Sequence, residues 1–225
     1  NSLVIVSKPI AGGAIAGGGE FTNQNSSGYI KGQTGYPTGF QLDAQYTKSG
    51  TNPKGKVNII VKSYYKPDGT LDSKMHLYNI NTNAISYLNV TAPKAVFQAK
   101  ANLVEQVANP DGTTSVVSIE GGATFDLAVT GFTGGTSKPD IAITLYRKAG
   151  GIWFSSNWDG VKTVPQVLDG YSTTSTSRKS GTIYVSGAGA TFRDAEPVAE
   201  ETDEVLADGP VELLRRSEEH TSELQ

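Results

Sequence analysis

The chain has 225 residues, a formal net charge of −3 at pH 7 and no cysteine. The absence of cysteine excludes a disulfide framework, a thiolate metal site and a cysteine nucleophile. No apolar run approaches the ~20 residues that a membrane-spanning helix requires, so we expect no membrane span in this sequence.

Charge divides the chain into two parts. Residues 1–193 contain 17 Lys and Arg against 11 Asp and Glu, whereas residues 194–225 contain 2 against 11. In the first part the basic residues are scattered singly and do not cluster as they do in proteins that bind nucleic acid. We therefore expect no nucleic-acid partner.

The order of segments predicts one complete domain between incomplete pieces. Residues 1–10 contain a β-branched run that ends at Pro9, and predict the last strand of a preceding domain. Residues 11–187 predict a complete β-module, and the acidic residues 188–215 predict a linker or disordered tail. Residues 216–225 (RSEEHTSELQ) resemble the in-frame translation of a sequencing adapter. We therefore interpret them as an artefact, and expect the chain to be a metagenomic fragment of a larger protein.

Between residues 17 and 187 apolar side chains recur with a period of two, which is the pattern of strands that bury one face. The clearest inward-facing residues are Phe40, Leu42, Ile59, Val61, Phe125, Leu127, Ile141 and Ile143. Weaker strands are predicted at 75–80, 84–90 and 115–119, and no segment has the pattern of an amphipathic helix.

Turn sequences separate these strands. They are the PDG at 67–69, the NPDG at 109–112 and the glycine pairs at 121–122, 134–135 and 150–151. Many strands with frequent turns predict an all-β fold, specifically an antiparallel β-sandwich of Ig-like character.

Two strand features predict local structure. Residues 139–147 and 151–156 predict a hairpin, since a short turn sequence joins them. The triple glycine at 17–19 is followed by neither a helix nor a Lys-Ser/Thr pair, so it is not a phosphate-binding loop. We expect a bulge or a close backbone approach there.

The residues of an enzyme active site do not come together in the sequence. His76 is the only histidine before the adapter-like segment, and alternation predicts it on the wet side of its strand. The acidic residues are dispersed and border turns, whereas a glycosidase needs two converging carboxylates. We expect no catalytic residues and no cofactor. Asp68, Asp72 and Asp111 could provide oxygen ligands for calcium, but turn formation is the favoured interpretation, and no metal site is predicted.

Several short motifs between residues 15 and 186 together resemble a known pattern. They are IAGGGEF at 15–21, GFQLDAQY at 39–46, PKGK at 53–56, AVFQAKA at 95–101, PDIAI at 139–143 and GTIYV at 181–185. The set resembles a bacterial extracellular module, sometimes labelled post-COAP, that follows PKD or Ig-like repeats in large secreted proteins. Residues 1–10 resemble the end of such a repeat.

The resemblance implies a location and an architecture rather than a chemistry. It implies a non-enzymatic module, secreted or at the cell surface, that acts as a structural spacer or an adhesion element. Its partners would be the neighbouring domains of the same polypeptide.

A carbohydrate-binding module is the alternative function, because Trp153, Phe154 and Trp158 form an aromatic cluster that tyrosines elsewhere in the chain could join. The candidate ligand-binding residues are Trp153, Trp158, Tyr64, Tyr65 and Tyr171. Such rings resemble the platforms on which β-sandwich proteins hold surface glycans. Alternation predicts that Trp153 and Phe154 lie on opposite faces, one in the core and one outward. The competing interpretation is that Trp153 packs the core and Trp158 covers one end.

Overall fold

The computed structural model describes residues 11–47, 49–134, 137–168 and 181–187. This part of the chain contains ten strands and no helix. The strands are β1 (Ala14–Thr22), β2 (Pro37–Gln45), β3 (Lys54–Tyr65), β4 (Leu71–Thr91), β5 (Lys94–Ala108), β6 (Thr114–Thr130), β7 (Asp140–Tyr146), β8 (Ile152–Ser155), β9 (Gln166–Val167) and β10 (Thr182–Ser186). The predicted segments at 1–10 and 188–225 lie outside the described residues. Among the residues that are described, no helix is long and apolar enough to cross a membrane.

The strands form one antiparallel sheet in the order β10-β1-β2-β3-β4-β5-β6-β7-β8, and β9 also pairs with β7. From β1 to β8, each strand therefore pairs with the next one along the chain. This arrangement confirms the predicted all-β, antiparallel class, and it follows from the short turn sequences, because a tight turn can join only antiparallel neighbours.

Alternation along the strands places the apolar residues in one core. All eight side chains predicted to face inward are buried, and they belong to a single hydrophobic cluster. Each such burial contributes about 1.5–3 kcal/mol relative to an exposed side chain. The buried residues of strands at both ends of the sheet order belong to this one cluster. The backbone N–H of Phe132, which follows β6, donates to the carbonyl of Ile183 in β10 at 2.7 Å.

Two predicted boundaries are wrong. The weak strands at 75–80 and 84–90 are parts of the single long strand β4, and 115–119 and 125–129 are parts of β6. The glycine pair at 121–122 does not end a strand, because the register of β5 and β6 shifts there and the strand continues. The side-chain carbonyl of Asn102 accepts the N–H of Gly122 at 3.1 Å, so a side chain satisfies the backbone at this irregularity.

Gly17 confirms the predicted close backbone approach. In β1 it lies between β2 and β10, and a Cβ atom at this position would overlap the carbonyl oxygen of Thr182. The neighbouring Gly18 has room for a Cβ, whose nearest contact would be the carbonyl oxygen of Phe40 at 3.5 Å. Packing thus requires a glycine at position 17 but not at position 18.

Candidate functional site

The connection between β1 and β2 is fastened to the edge of β8. Ser27 exchanges two backbone hydrogen bonds with Ser155, at 3.1 and 2.8 Å. Tyr29 donates to the carbonyl of Ile152 at 3.2 Å, and Ile30 donates to that of Trp153 at 2.9 Å. The connection therefore behaves as a short added strand, which holds the side chain of Tyr29 next to the start of β8.

The turn between β3 and β4 places Asp68 near Tyr29 and the start of β8. One oxygen of Asp68 accepts the backbone N–H of Thr70 at 2.8 Å and its hydroxyl at 2.6 Å. These hydrogen bonds, led by that of the hydroxyl, hold the pKa of Asp68 below its usual value. Asp111 forms the same pair of bonds with Thr113, so turn formation is confirmed for both residues. In the described part of the chain, no donor is bonded to the other carboxylate oxygen of Asp68.

These elements enclose an open groove of about 620 Å³. Its aromatic walls are Tyr29 and Trp158, its carboxylate is that of Asp68, and Ser27, Gly151 and Ile152 provide further surface. A Cβ atom at Gly69 would lie only 3.1 Å from the Tyr29 ring, so the β3–β4 turn itself rests on this tyrosine.

The ring of Tyr29 is held on more than one side. The guanidinium carbon of Arg147 lies 3.8 Å from the centroid of the ring, and the ring of Trp153 meets it edge-on at 5.8 Å. Tyr29 is nevertheless 37% exposed, so it offers one ordered aromatic surface to the groove. A ring fixed in advance loses little conformational entropy when a ligand binds.

Trp158 also lines the groove and is half-buried. Its backbone N–H donates to the carbonyl of Asn25 at 2.7 Å, and it forms a bridge with Thr163 across a short turn. Asp159 accepts the N–H groups of Val161 and Lys162 in that turn, each at 2.8 Å. The indole N–H of Trp158 has no acceptor among the residues that the structure describes, so it is available to a ligand.

Trp153 is placed differently. Its side chain is only 6% exposed, and its indole N–H donates to the carboxylate of Glu120. Phe154 is fully buried as well, so the prediction that one of these two rings faces outward is wrong. The reason is that side chains pack on the ring of Trp153: Tyr29 meets it edge-on at a centroid distance of 5.8 Å, and the guanidinium carbon of Arg147 lies 4.9 Å from its centroid.

The other predicted site residues do not join the groove. Tyr64 contacts Tyr36 edge-on at a centroid distance of 6.5 Å. The Nζ atom of Lys31 lies 4.4 Å from the ring centroid of Tyr65, whose carbonyl also accepts the hydroxyl of Tyr78. Tyr171 lies outside the described residues. Of the predicted set, Trp158 is therefore the residue that lines the groove.

Tyr29 was not predicted as a site residue. It lies in a polar connection without periodicity, where the sequence shows only a glycine followed by an aromatic residue. Its position beside Trp158 depends on the pairing of residues 27–30 with β8, which are distant in sequence. No local pattern indicates such a contact.

Alternation predicted His76 on the solvent-facing side of its strand, and this prediction is wrong. Its side chain is 14% exposed, its Nδ1 atom lies 2.6 Å from Glu105, and its Nε2 atom lies 3.2 Å from Asp72. The imidazole also stacks on the ring of Tyr78 at 5.8 Å. Apolar residues occur at both alternating positions of this segment, and the buried ones are Tyr78 and Ile80 rather than Met75 and Leu77, so His76 lies on the inner face. These contacts tie β4 to β5 and lie apart from the groove.

The groove therefore combines two aromatic surfaces, a free indole N–H and an ionised carboxylate. Apolar ring faces attract C–H surfaces, while the carboxylate accepts hydroxyl groups and the indole donates to them. Together they suit a ligand that has both kinds of surface, as a sugar ring does. No family model, curated protein or solved structure matches this chain. The resemblance to the extracellular module thus stays a prediction.

Proposed function

We propose that this chain is a non-enzymatic module that binds glycans through the groove between Tyr29 and Trp158. The observation that carries the proposal is that two partly exposed aromatic rings line one groove together with the carboxylate of Asp68. This function joins the two predicted alternatives, because a glycan-binding module at a cell surface is an adhesion element. Its partners are then surface glycans and the neighbouring domains of the same polypeptide.

Binding is favoured over hydrolysis by the charges of the groove. Asp68 is the only acidic residue among the residues that line it in the described part of the chain. A glycosidase with two carboxylates would need a second acid about 5–9 Å from the first. A single carboxylate can orient a sugar through its hydroxyl groups without cleaving it.

The proposal includes the finer architecture and the location that the sequence predicts. The sheet would form a β-sandwich of Ig-like character, which is supported by one apolar core built from strands at both ends of the sheet order. The module would be secreted or displayed on a bacterial surface. The absence of cysteine and the resemblance to modules that follow PKD repeats support this location.

A glycan array tests the proposal directly. The purified chain is applied at several concentrations, and any glycan that binds is then titrated in solution by calorimetry. We expect reproducible binding that Trp158→Ala weakens about tenfold or more, since buried aromatic contacts dominate such interfaces. Asp68→Asn is expected to weaken the same glycan, because an amide is a poorer acceptor than a carboxylate.

Tyr184→Ala is the matched control. Tyr184 is 45% exposed in β10 and does not line the groove, so its removal should leave the affinity unchanged. Binding to no glycan, or equal losses in the Trp158 and Tyr184 variants, would contradict the proposal and leave the role of a structural spacer.

A further inference from the structure

The hairpin of β5 and β6 has an unpaired backbone edge. β5 pairs with β6 along its whole length, but β7 pairs only with residues 124–130 of β6. Within the described ranges, no backbone group bonds to the outer side of residues 114–119. Because alternate residues of a strand direct their N–H and C=O groups to opposite sides, this segment presents a row of free donors and acceptors.

Most of this edge lacks the features that normally prevent strand addition. Residues 114–118 (Thr-Ser-Val-Val-Ser) contain no charged residue, proline or glycine and pair with β5 in regular register, whereas exposed edges usually carry lysine, proline or a bulge. The register shift leaves Ile119 unpaired, so the regular edge ends there at a bulge. Val116 is 64% exposed and Val117 is 47% exposed, so an apolar side chain faces solvent on each side of the strand. By contrast, residues 27–30 cover the edge of β8.

The end of this hairpin is already ordered by its own hydrogen bonds. The side-chain nitrogen of Asn109 donates to Thr113 at 2.9 Å and to Ser115 at 2.8 Å. The backbone of Asn109 also exchanges bonds with Thr113 and Gly112. An added strand would thus meet a preformed template and would not need to order it.

We infer that residues 114–118 pair antiparallel with the same residues of a second copy of this chain, which forms a twofold-symmetric dimer with a continuous sheet. A twofold axis perpendicular to the sheet places Val116 opposite Val116, or Val117 opposite Val117. Side chains of the same face then meet, and the contact is closed, so it gives a dimer rather than a filament.

Charge favours a second copy as the occupant. With the axis at Val117, Glu120 lies opposite Thr114, and with the axis at Val116 it lies opposite Gly112. Neither register brings like charges together, which would be destabilising across a strand pair. The segment itself is uncharged, so two copies can approach without repulsion.

Sedimentation of the full chain over a range of concentrations tests the inference. We expect the mass to rise from monomer to dimer. The double substitution Val116→Lys and Val117→Lys should weaken the dimer on the order of tenfold or more, because lysines block strand addition at an edge. Both positions are exposed, and an unchanged melting curve verifies that the variant folds.

Val96→Lys is the matched control. Val96 is 47% exposed like Val117, but its strand is paired on both sides, by β4 and β6. It should leave the mass distribution unchanged. A wild-type chain that stays monomeric at millimolar concentration would overturn the inference, as would a dimer that the double variant retains or that Val96→Lys weakens equally.

Cross-linking provides a second measurement that does not depend on the lysine variants. The chain has no cysteine, so a single introduced cysteine reports one contact. Upon mild oxidation, Val116→Cys or Val117→Cys should give a disulfide-linked dimer, and Val96→Cys should not. Equal cross-linking at all three positions would contradict the twofold arrangement.

Discussion

Trp153 and Trp158 lie in one short stretch of the chain, yet their surroundings differ. Trp153 is in β8, buried, and its indole N–H is bonded to Glu120. Trp158 follows the strand, is half-buried, and its indole N–H has no acceptor among the described residues. The β1–β2 connection bonds to the backbone beside both rings, but of the two only Trp153 is covered by side chains of described residues, those of Tyr29, Arg147 and Glu120. Identical side chains thus divide between the core and the candidate site according to which neighbouring side chains pack on them.

The largest expected effect is the loss of the buried ring. Trp153→Ala should lower the free energy of unfolding by about 3–5 kcal/mol, since it leaves a cavity and removes the partner of Glu120. Trp153→Phe should cost less, because it keeps a ring and loses only the donor. Urea unfolding of both variants measures this difference. A change below about 1 kcal/mol for Trp153→Ala would contradict its assignment to the core.

Gly28 tests the pairing that covers β8. Its φ is +110°, and a Cβ atom would overlap the carbonyl oxygen of Trp153. Backbone strain alone would lower the free energy of unfolding by about 1–3 kcal/mol, and Gly28→Ala should lower it by more than that because of the overlap. Gly160, with a φ of +103° and no atom within 4 Å of its Cβ position, provides the matched control. Equal losses of stability in Gly28→Ala and Gly160→Ala would show that the close approach is unimportant.

A smaller effect is expected for Trp158, whose ring serves binding rather than packing. Trp158→Ala should change the free energy of unfolding by less than about 1 kcal/mol, as is usual for residues outside the core. The chain has two tryptophans, so Trp153→Phe leaves Trp158 as the only one. The Trp158→Phe variant likewise leaves only Trp153. Acrylamide should quench the fluorescence of Trp158 in the first variant more strongly than the fluorescence of Trp153 in the second. Similar quenching of both would remove the contrast between the two rings.

The smallest effect concerns Asp68. Because its pKa is lowered by the hydrogen bonds of Thr70, its carboxylate stabilises the folded state above the unfolded pKa of about 3.9 and loses this contribution as pH falls through the folded pKa. Thermal unfolding of the wild type and of Asp68→Asn should thus converge as the pH is lowered below about 4. Melting curves that differ most in acid would contradict this sign.

Sequence alone determined the all-β class, the antiparallel pairing and the composition of the core. Alternation identified Phe40, Ile59 and Ile143 as buried because the side-chain period of a strand is local. The turn at 109–112 was likewise predictable, since its conformation depends on its own residues. Trp158 could be named as a candidate site residue because it belongs to a cluster of aromatic residues in the sequence.

Only the tertiary structure decided which residues face the groove and which edges stay open. Backbone bonds between residues 27–30 and β8 bring Tyr29 to the groove that Trp158 also lines, and Tyr29 and Arg147 pack on Trp153 and bury it. The continuation of β6 past Gly121 comes from a register shift between β5 and β6. The inward side of His76 was misassigned because both alternating positions of its segment carry apolar residues, and only packing selects Tyr78 and Ile80 as the buried set. Such contacts join residues far apart in sequence, and their free energy depends on the whole sheet, so no local pattern of residues encodes them.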